Sequence, residues 1–326
     1  MALEIFSDDE HEGKWFQSLS SHLTNSTIIK LNKRGSNPDY IEKLIQYDRP
    51  DIILVLDKTP ILVLEKTSEV PTGHNVGQRF GRLVKSVEQG IMTIFFLPFI
   101  AMKHGEYAGI CKVPARLFLA LQKMQEFHNV PVLAVEWPSD NDGELITDNS
   151  ENTELSKLID ELISNDFDFS KCKKISELQQ KMIDIIPTLD QNTISPPSSV
   201  ETIPTADYVK GLGKKLPEDF SKIAPQFEKR TKTLIYTNEM TEENCRREDP
   251  YTGQQFIYDY MECRNGPEVT DKHTNLVLRS PLISKKCWEK SNPNDPNRKS
   301  ALWYATANLI ELKDGIIIPE SKIGKK

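Results

Sequence analysis

The sequence predicts an α/β protein: a mixed central sheet flanked by helices, followed by a smaller, strand-rich C-terminal domain. Three observations carry that prediction. Two apolar runs, Ile52 to Leu56 and Ile61 to Leu64, are joined by Asp57, Lys58, Thr59 and Pro60 and read as a β-hairpin buried on both faces. Helical and strand periodicities alternate beyond the hairpin, the pattern of a sheet covered by helices. A stretch rich in Ser, Thr and Pro then separates this part from a region of short strand-like runs and turn clusters.

Taken in order, Trp15, Phe16, Leu19 and Leu23 recur at helical spacing and give an amphipathic helix from about His11 to Leu23. Thr27 to Leu31 is a short strand. Pro38 and Asp39 open a helix over Tyr40 to Tyr47 that turns Ile41, Leu44 and Ile45 to a core and leaves Glu42 on its other side. After the hairpin come a helix from Val76 to Gln89, a strand from Ile91 to Phe99, a helix from Pro114 to Phe127 and a strand from Val130 to Trp137. Pro138 to Asn152 is loop, and Glu154 to Ile163 and Ser176 to Ile186 are amphipathic helices. The organisation is therefore a core with two trailing helices over 1–188, a linker over 189–206, and a second domain over 207–326. Its strand-like runs are Thr233 to Tyr236, Phe256 to Tyr260, Thr274 to Leu278, Leu309 to Leu312 and Gly315 to Pro319.

Composition bounds the class. The start, MALEIFSDDEHEGKW, is acidic and has no apolar core of a signal peptide, and the longest apolar run, Ile91 to Met102, is too short to span a bilayer. Five widely spaced cysteines with no C-x-x-C argue for reduced thiols, so the expected location is the cytoplasm, with no membrane partner. The net charge is −7, but ten acids lie between Asp140 and Asp168, and residues 207–326 carry 21 basic against 18 acidic side chains. Local basic clusters matter more for nucleic acid than the total does. No P-loop, G-x-G-x-x-G or G-x-S-x-G is present, which leaves nucleotide-driven and serine-hydrolase chemistry without support. His273, Asn275, Cys245, Cys263 and Cys287 lack the paired C-x-x-C of a zinc-held HNH site.

Charges at the end of a buried hairpin need a reason. Asp51 opens its first strand, and Glu65 with Lys66 closes its second. A three-residue loop centred on Thr59 sets Asp51 opposite Thr67 and diagonal to Glu65, on one face; a loop of Lys58 and Thr59 brings Lys66 to Asp51 instead. The first is preferred, because a two-residue loop wants Gly or Asn and Lys-Thr offers neither. A bulge near Glu65 is a further way to bring both acids to one side.

An acid opening one strand, an acid near the end of the next and an adjacent lysine resemble the PD-(D/E)XK nuclease superfamily, which includes most type II restriction endonucleases; the residues are Pro50-Asp51 and Glu65-Lys66-Thr67. The family pattern puts its lysine two residues after the second acid, where this chain has Thr67. The resemblance implies a restriction-endonuclease-like core acting on double-stranded DNA as a Mg2+-dependent endonuclease. Asp51 and Glu65 would ligate the metal, and Lys66, or another lysine such as Lys85, would orient the attacking water. It makes Glu42 a candidate early-helix glutamate and Gln78 a candidate site glutamine. Arg79 and Arg82, at i and i+3 on the helix after the hairpin, suit phosphates, as does Lys85. Basic residues of the second domain, among them Arg246, Arg247 and Arg264, suit DNA recognition, and a palindromic target implies a homodimer.

Overall fold

The computed structural model describes residues 2–33, 35–45, 48–71, 74–105, 108–191, 198–247, 274–291 and 307–323. They fall into two compact units, one from residues 1–72 and 79–192 and one from 73–78 and 193–326.

The first unit holds a six-stranded mixed sheet, ordered β2-β1-β3-β4-β5-β8. Its strands are β1 (Leu3–Ser7), β2 (Thr27–Lys30), β3 (Ile52–Leu56), β4 (Thr59–Lys66), β5 (Met92–Leu97) and β8 (Val132–Glu136). Between β5 and β8 a small hairpin, β6 (Ile100–Lys103) and β7 (Gly109–Lys112), forms its own two-stranded sheet. β3 runs antiparallel to both β1 and β4, while β4, β5 and β8 are mutually parallel. Parallel neighbours need crossovers, and these are helices α3 (His74–Glu88) and α4 (Ala115–His128). The central strands are built on a buried apolar core, with Ile52, Ile53, Val63, Leu64, Ile94 and Phe95 fully buried. On α3, Val76, Phe80, Leu83, Val84 and Val87 repeat at helical spacing and are fully buried, which fixes the helix's rotation and sets Arg79 and Arg82 beside the apolar stripe.

Helix α1 (Glu10–Ser18) is capped by Asp9, whose Oδ1 accepts the Glu12 N–H at 2.8 Å. It lies close against the sheet through Gly13, where a Cβ would sit 2.5 Å from Ile28 Cγ2 and 2.7 Å from Ser7 Oγ. The predicted helix to Leu23 instead stops at Ser18, and Ser20 caps a separate 3-10 turn over Ser21–Leu23. The predicted helix near residue 40 is one turn, α2 (Asp39–Glu42). Helices α5 (Thr153–Ser164) and α6 (Lys173–Ile185) follow as expected. β1 was not anticipated. Its LEIFS is a short run inside an acidic start, and only pairing on both edges, with β2 and β3, identifies it as an interior strand.

The second unit carries a five-stranded sheet, β13-β12-β11-β10-β9, with β10 (Lys232–Asn238), β11 (Thr274–Ser280) and β12 (Leu309–Leu312) parallel and the outer strands antiparallel. β13 is Gly315–Ile317; β9 is Ser198–Pro204, inside the stretch expected to be linker. That expectation fails because Val200, Thr202 and Ile203 are β-branched, and a strand at the sheet's edge tolerates a proline at its end. Helices α7 (Thr205–Leu212) and α8 (Phe220–Phe227) cover the sheet, and Tyr208, Phe220, Ile223 and Phe227 pack on Ile235, Val277 and Leu309. The expected strand over Phe256 to Tyr260 lies outside the described residues.

Candidate active site

The geometry starts at the hairpin turn. Leu56 pairs with Thr59, so the loop is Asp57 and Lys58, both with positive φ (46° and 67°), a two-residue turn that follows the twist of the strands. Asp57 is tied back to the first strand's approach: its Oδ1 accepts the Ala2 N–H at 2.9 Å. Next, Val55 pairs with Pro60 but Leu54 with Leu62, leaving Ile61 as the extra residue of a β-bulge. The register then sets Ile52 opposite Leu64, and one residue further Asp51 opposite Glu65. Neither of the two expected loops forms. The earlier turn and the bulge together still bring both acids to one place, where Arg82 Nη1 reaches Glu65 Oε1 at 2.8 Å and Asp51 Oδ1 at 3.5 Å.

Both acids are largely buried, Glu65 completely. Glu65 is 0% exposed and the Asp51 side chain 14%. Asp51 Oδ2 accepts the Lys66 N–H at 2.6 Å. Glu65 Oε1 accepts from Arg79 Nη1 and from Arg82 Nη1, each at 2.8 Å, while Glu65 Oε2 is buried with no hydrogen-bond partner. Arg79 Nη1 also reaches the Lys66 carbonyl at 3.2 Å; Arg82 Nη1 lies 3.5 Å from Asp51 Oδ1, and its Nε donates to Asp48 Oδ2 at 3.2 Å. Burial first, and then the Asp51 charge, push the Glu65 acid well above its ordinary range, against the pull of Arg82 and Arg79. Burial likewise raises Asp51, opposed by the Lys66 N–H and both arginines.

Strand alternation divides the neighbours between two faces. Lys66 pairs with Phe96 and Glu65 with Phe95, so the Lys66 ammonium leaves on the face opposite Glu65. There it sits 3.9 Å above the Trp15 ring, and Trp15 stacks on Phe96, which stacks on Trp137. Partial burial lowers the Lys66 pKa, against the charges of Glu12, Asp51 and Glu151. Glu12 stands in the same field: burial and the nearby charges of Asp51 and Asp9 push its carboxyl up to about 7, with Lys66 pulling the other way. No family model matches this chain, and neither does any curated protein or solved structure. What the site can do rests on its own geometry.

Of the residues singled out in the sequence, Asp51, Glu65, Arg79 and Arg82 meet. Lys66 joins them through its backbone. Thr67, on the Glu65 face where the nuclease pattern has lysine, spends its hydroxyl on a turn, accepting the Glu69 N–H at 3.1 Å. Glu42 is engaged elsewhere: its Oε1 accepts the backbone N–H groups of Gly35, Ser36 and Asn37 at 2.9 to 3.1 Å, closing a loop. The helix glutamate in the Asp51 field is Glu12, not Glu42. Its signal lay in the spacing Asp9 to Glu12 to Trp15, a capped first turn running into an aromatic, hidden within acids read as a charged terminus. Lys85 pairs with Glu88 at 3.2 Å, a turn beyond Arg82. His104, in the loop between β6 and β7, pairs with Glu144 on the surface. The side chains of Gln78, Arg246 and Arg247, and all of Arg264, lie outside the described residues.

Among the described residues no three His, Cys, Asp or Glu side chains form a ready metal cluster, and no helix is long and apolar enough to cross a membrane. Two carboxylates and a carbonyl do converge. Asp51 Oδ1, Glu65 Oε1 and the Lys66 oxygen, gathered by the Nη1 atoms of Arg79 and Arg82, are hard donors of the kind Mg2+ takes, and the second Glu65 oxygen, Oε2, is a buried acceptor without a donor.

Proposed function

We propose that this chain is a Mg2+-dependent endonuclease acting on double-stranded DNA, of the type II restriction kind. The observation that carries the reading is the buried pair Asp51 and Glu65 at the end of a hairpin, bridged by one arginine nitrogen, with an unpartnered carboxylate oxygen on Glu65 and a main-chain carbonyl reached by the neighbouring arginine. Opposed acids in an apolar sheet are costly unless a cation is meant to sit with them. Asp51, Glu65 and the Lys66 carbonyl would hold the ion, which when bound supplies a hydroxide near neutral pH and offsets charge on the phosphorus. The chain's own residues supply the rest. Glu12, its carboxyl raised to about 7, would be the group to take up a proton at physiological pH. The Lys66 ammonium, on the other face of the sheet, would add its positive charge to the field around Glu12 and Asp51. Arg79 and Arg82, partly exposed beside the pair, offer guanidinium forks for the phosphates on either side of the scissile bond. A palindromic target would engage a homodimer, and the second unit would contribute recognition.

A second reading, a DNA-binding protein without activity on the same scaffold, is favoured by the two arginines on Glu65 Oε1 and by the departure of the Lys66 ammonium to the other face. One experiment separates them. The purified protein is incubated with unmethylated phage-length DNA in Mg2+ and in EDTA. Discrete fragments only with Mg2+ support the restriction reading, a smear points to a non-specific or structure-directed nuclease, and intact DNA with retained binding supports the second. Cleavage that survives in Asp51→Asn would sink the assignment of the site.

A further inference from the structure

We propose that Arg79 and Arg82 are place-holding counter-ions, so that a divalent cation can enter the carboxylate pair only as these guanidiniums leave it, and DNA phosphate helps to draw them off. The inference rests on the metal-dependent reading and adds a regulation of that site. Arg79 Nη1 bridges Glu65 Oε1 at 2.8 Å and the Lys66 carbonyl at 3.2 Å. Arg82 Nη1 bridges the same Glu65 oxygen at 2.8 Å and Asp51 Oδ1 at 3.5 Å. Between them, the two nitrogens touch all three groups that would ligate the ion. A dication and two guanidiniums cannot share those oxygens without strong repulsion in so buried a place.

The arginines reach solvent and Glu65 does not. Glu65 is locked into β4, whereas the two guanidinium side chains are 27% and 23% exposed and lie one turn apart on α3. Arg82 also has an outer anchor, Asp48 Oδ2 at 3.2 Å, whose side chain is 30% exposed. A guanidinium released from Glu65 therefore turns toward solvent, where a phosphate can take it. Linkage makes the effect reciprocal: if phosphate removes the competitor, DNA tightens cation binding, and the cation tightens DNA binding by the same factor.

The test reads Mn2+ binding to the full chain by the loss of the free-ion EPR signal, without and with a short phosphorothioate duplex that resists cleavage. Arg79→Ala is expected to tighten Mn2+ about tenfold in the absence of DNA, and the duplex to tighten wild type by a similar factor while doing little more for the variant. Asp51→Asn should lose the ion in every condition. Equal Mn2+ affinity in wild type and Arg79→Ala, together with no effect of the duplex on wild type, overturns the competition while leaving the metal site standing. Absence of Mn2+ binding from all proteins in all conditions overturns the metal-dependent reading itself. Should Arg79→Ala fail to fold, the effect of the duplex on wild type alone decides: tightening supports the coupling and no change overturns it.

Discussion

Glu65 is the residue on which the others depend. A carboxylate with no exposed surface is tolerated because two guanidiniums from the facing helix reach one of its oxygens. Replacing Arg82 with Ala leaves it with Arg79 alone and releases Asp48; unfolding in urea should show a loss of about 2 kcal/mol, the usual cost of stranding a buried charged group. Glu12 makes the converse case. Its carboxyl is raised in the folded chain from 4.5 to about 7, so the fold holds that proton more tightly than the unfolded chain does. The associated stability is fully present below the unfolded value and is lost as pH climbs through about 7. In metal-free buffer, Glu12→Gln should therefore gain in melting temperature relative to wild type between pH 5 and pH 8, and a constant difference across that range would contradict the assignment. At this scale the sequence was a good guide to Asp51, Glu65, Arg79 and Arg82, because charge at the end of an apolar run is conspicuous. It offered Glu42 rather than Glu12 as the helix glutamate near Asp51, because Glu12 and Glu42 each stand on a short N-terminal helix and only the tertiary placement tells them apart.

Elements explain how one residue of displacement is absorbed. The hairpin was legible from its two apolar runs, but its register was not: Asp57 and Lys58 both adopt left-handed backbone, which a reading by residue preference does not choose for lysine. The bulge at Ile61 is equally silent in sequence, since an isoleucine in a strand announces nothing. Both departures fall before Leu62, so the half of the hairpin that carries the acids is regular. Helix α1 is set by the contact at Gly13, and this can be tested. Gly13→Ala would drive a methyl into Ile28 and Ser7, and about 1 to 3 kcal/mol of destabilisation is expected on chemical denaturation, the range for overpacked interfaces. Because α1 carries both Glu12 and Trp15, the nuclease proposal adds that the same variant should lower Mg2+-dependent cleavage as well as stability.

For the whole molecule, the alternation of strands and helices from the hairpin to α6 was readable because the main helices, α3, α4, α5 and α6, are long and periodic. The second unit was read as strand-rich but its helices were missed. α7 and α8 are only eight residues each, α8 contains Pro225, and α7 begins directly after an edge strand in a stretch whose Ser, Thr and Pro content looks like linker. With a net charge of −7, any attraction to DNA must come from local patches such as the arginines of α3. Substituting Arg79 and Arg82 together should flatten the dependence of DNA affinity on salt by roughly two counterions, at about 0.9 per phosphate contact, in a binding titration from low to moderate salt; an unchanged slope would remove them from the interface. One arrangement has a practical bearing. Of the four tryptophans in the chain, the only two in the first unit, Trp15 and Trp137, both belong to the stack on Phe96, with the Lys66 ammonium 3.9 Å above the first of them. The ultraviolet emission of that unit thus arises beside the backbone that grips Asp51, and the protein carries its own optical probe, one sheet's thickness from the carboxylates.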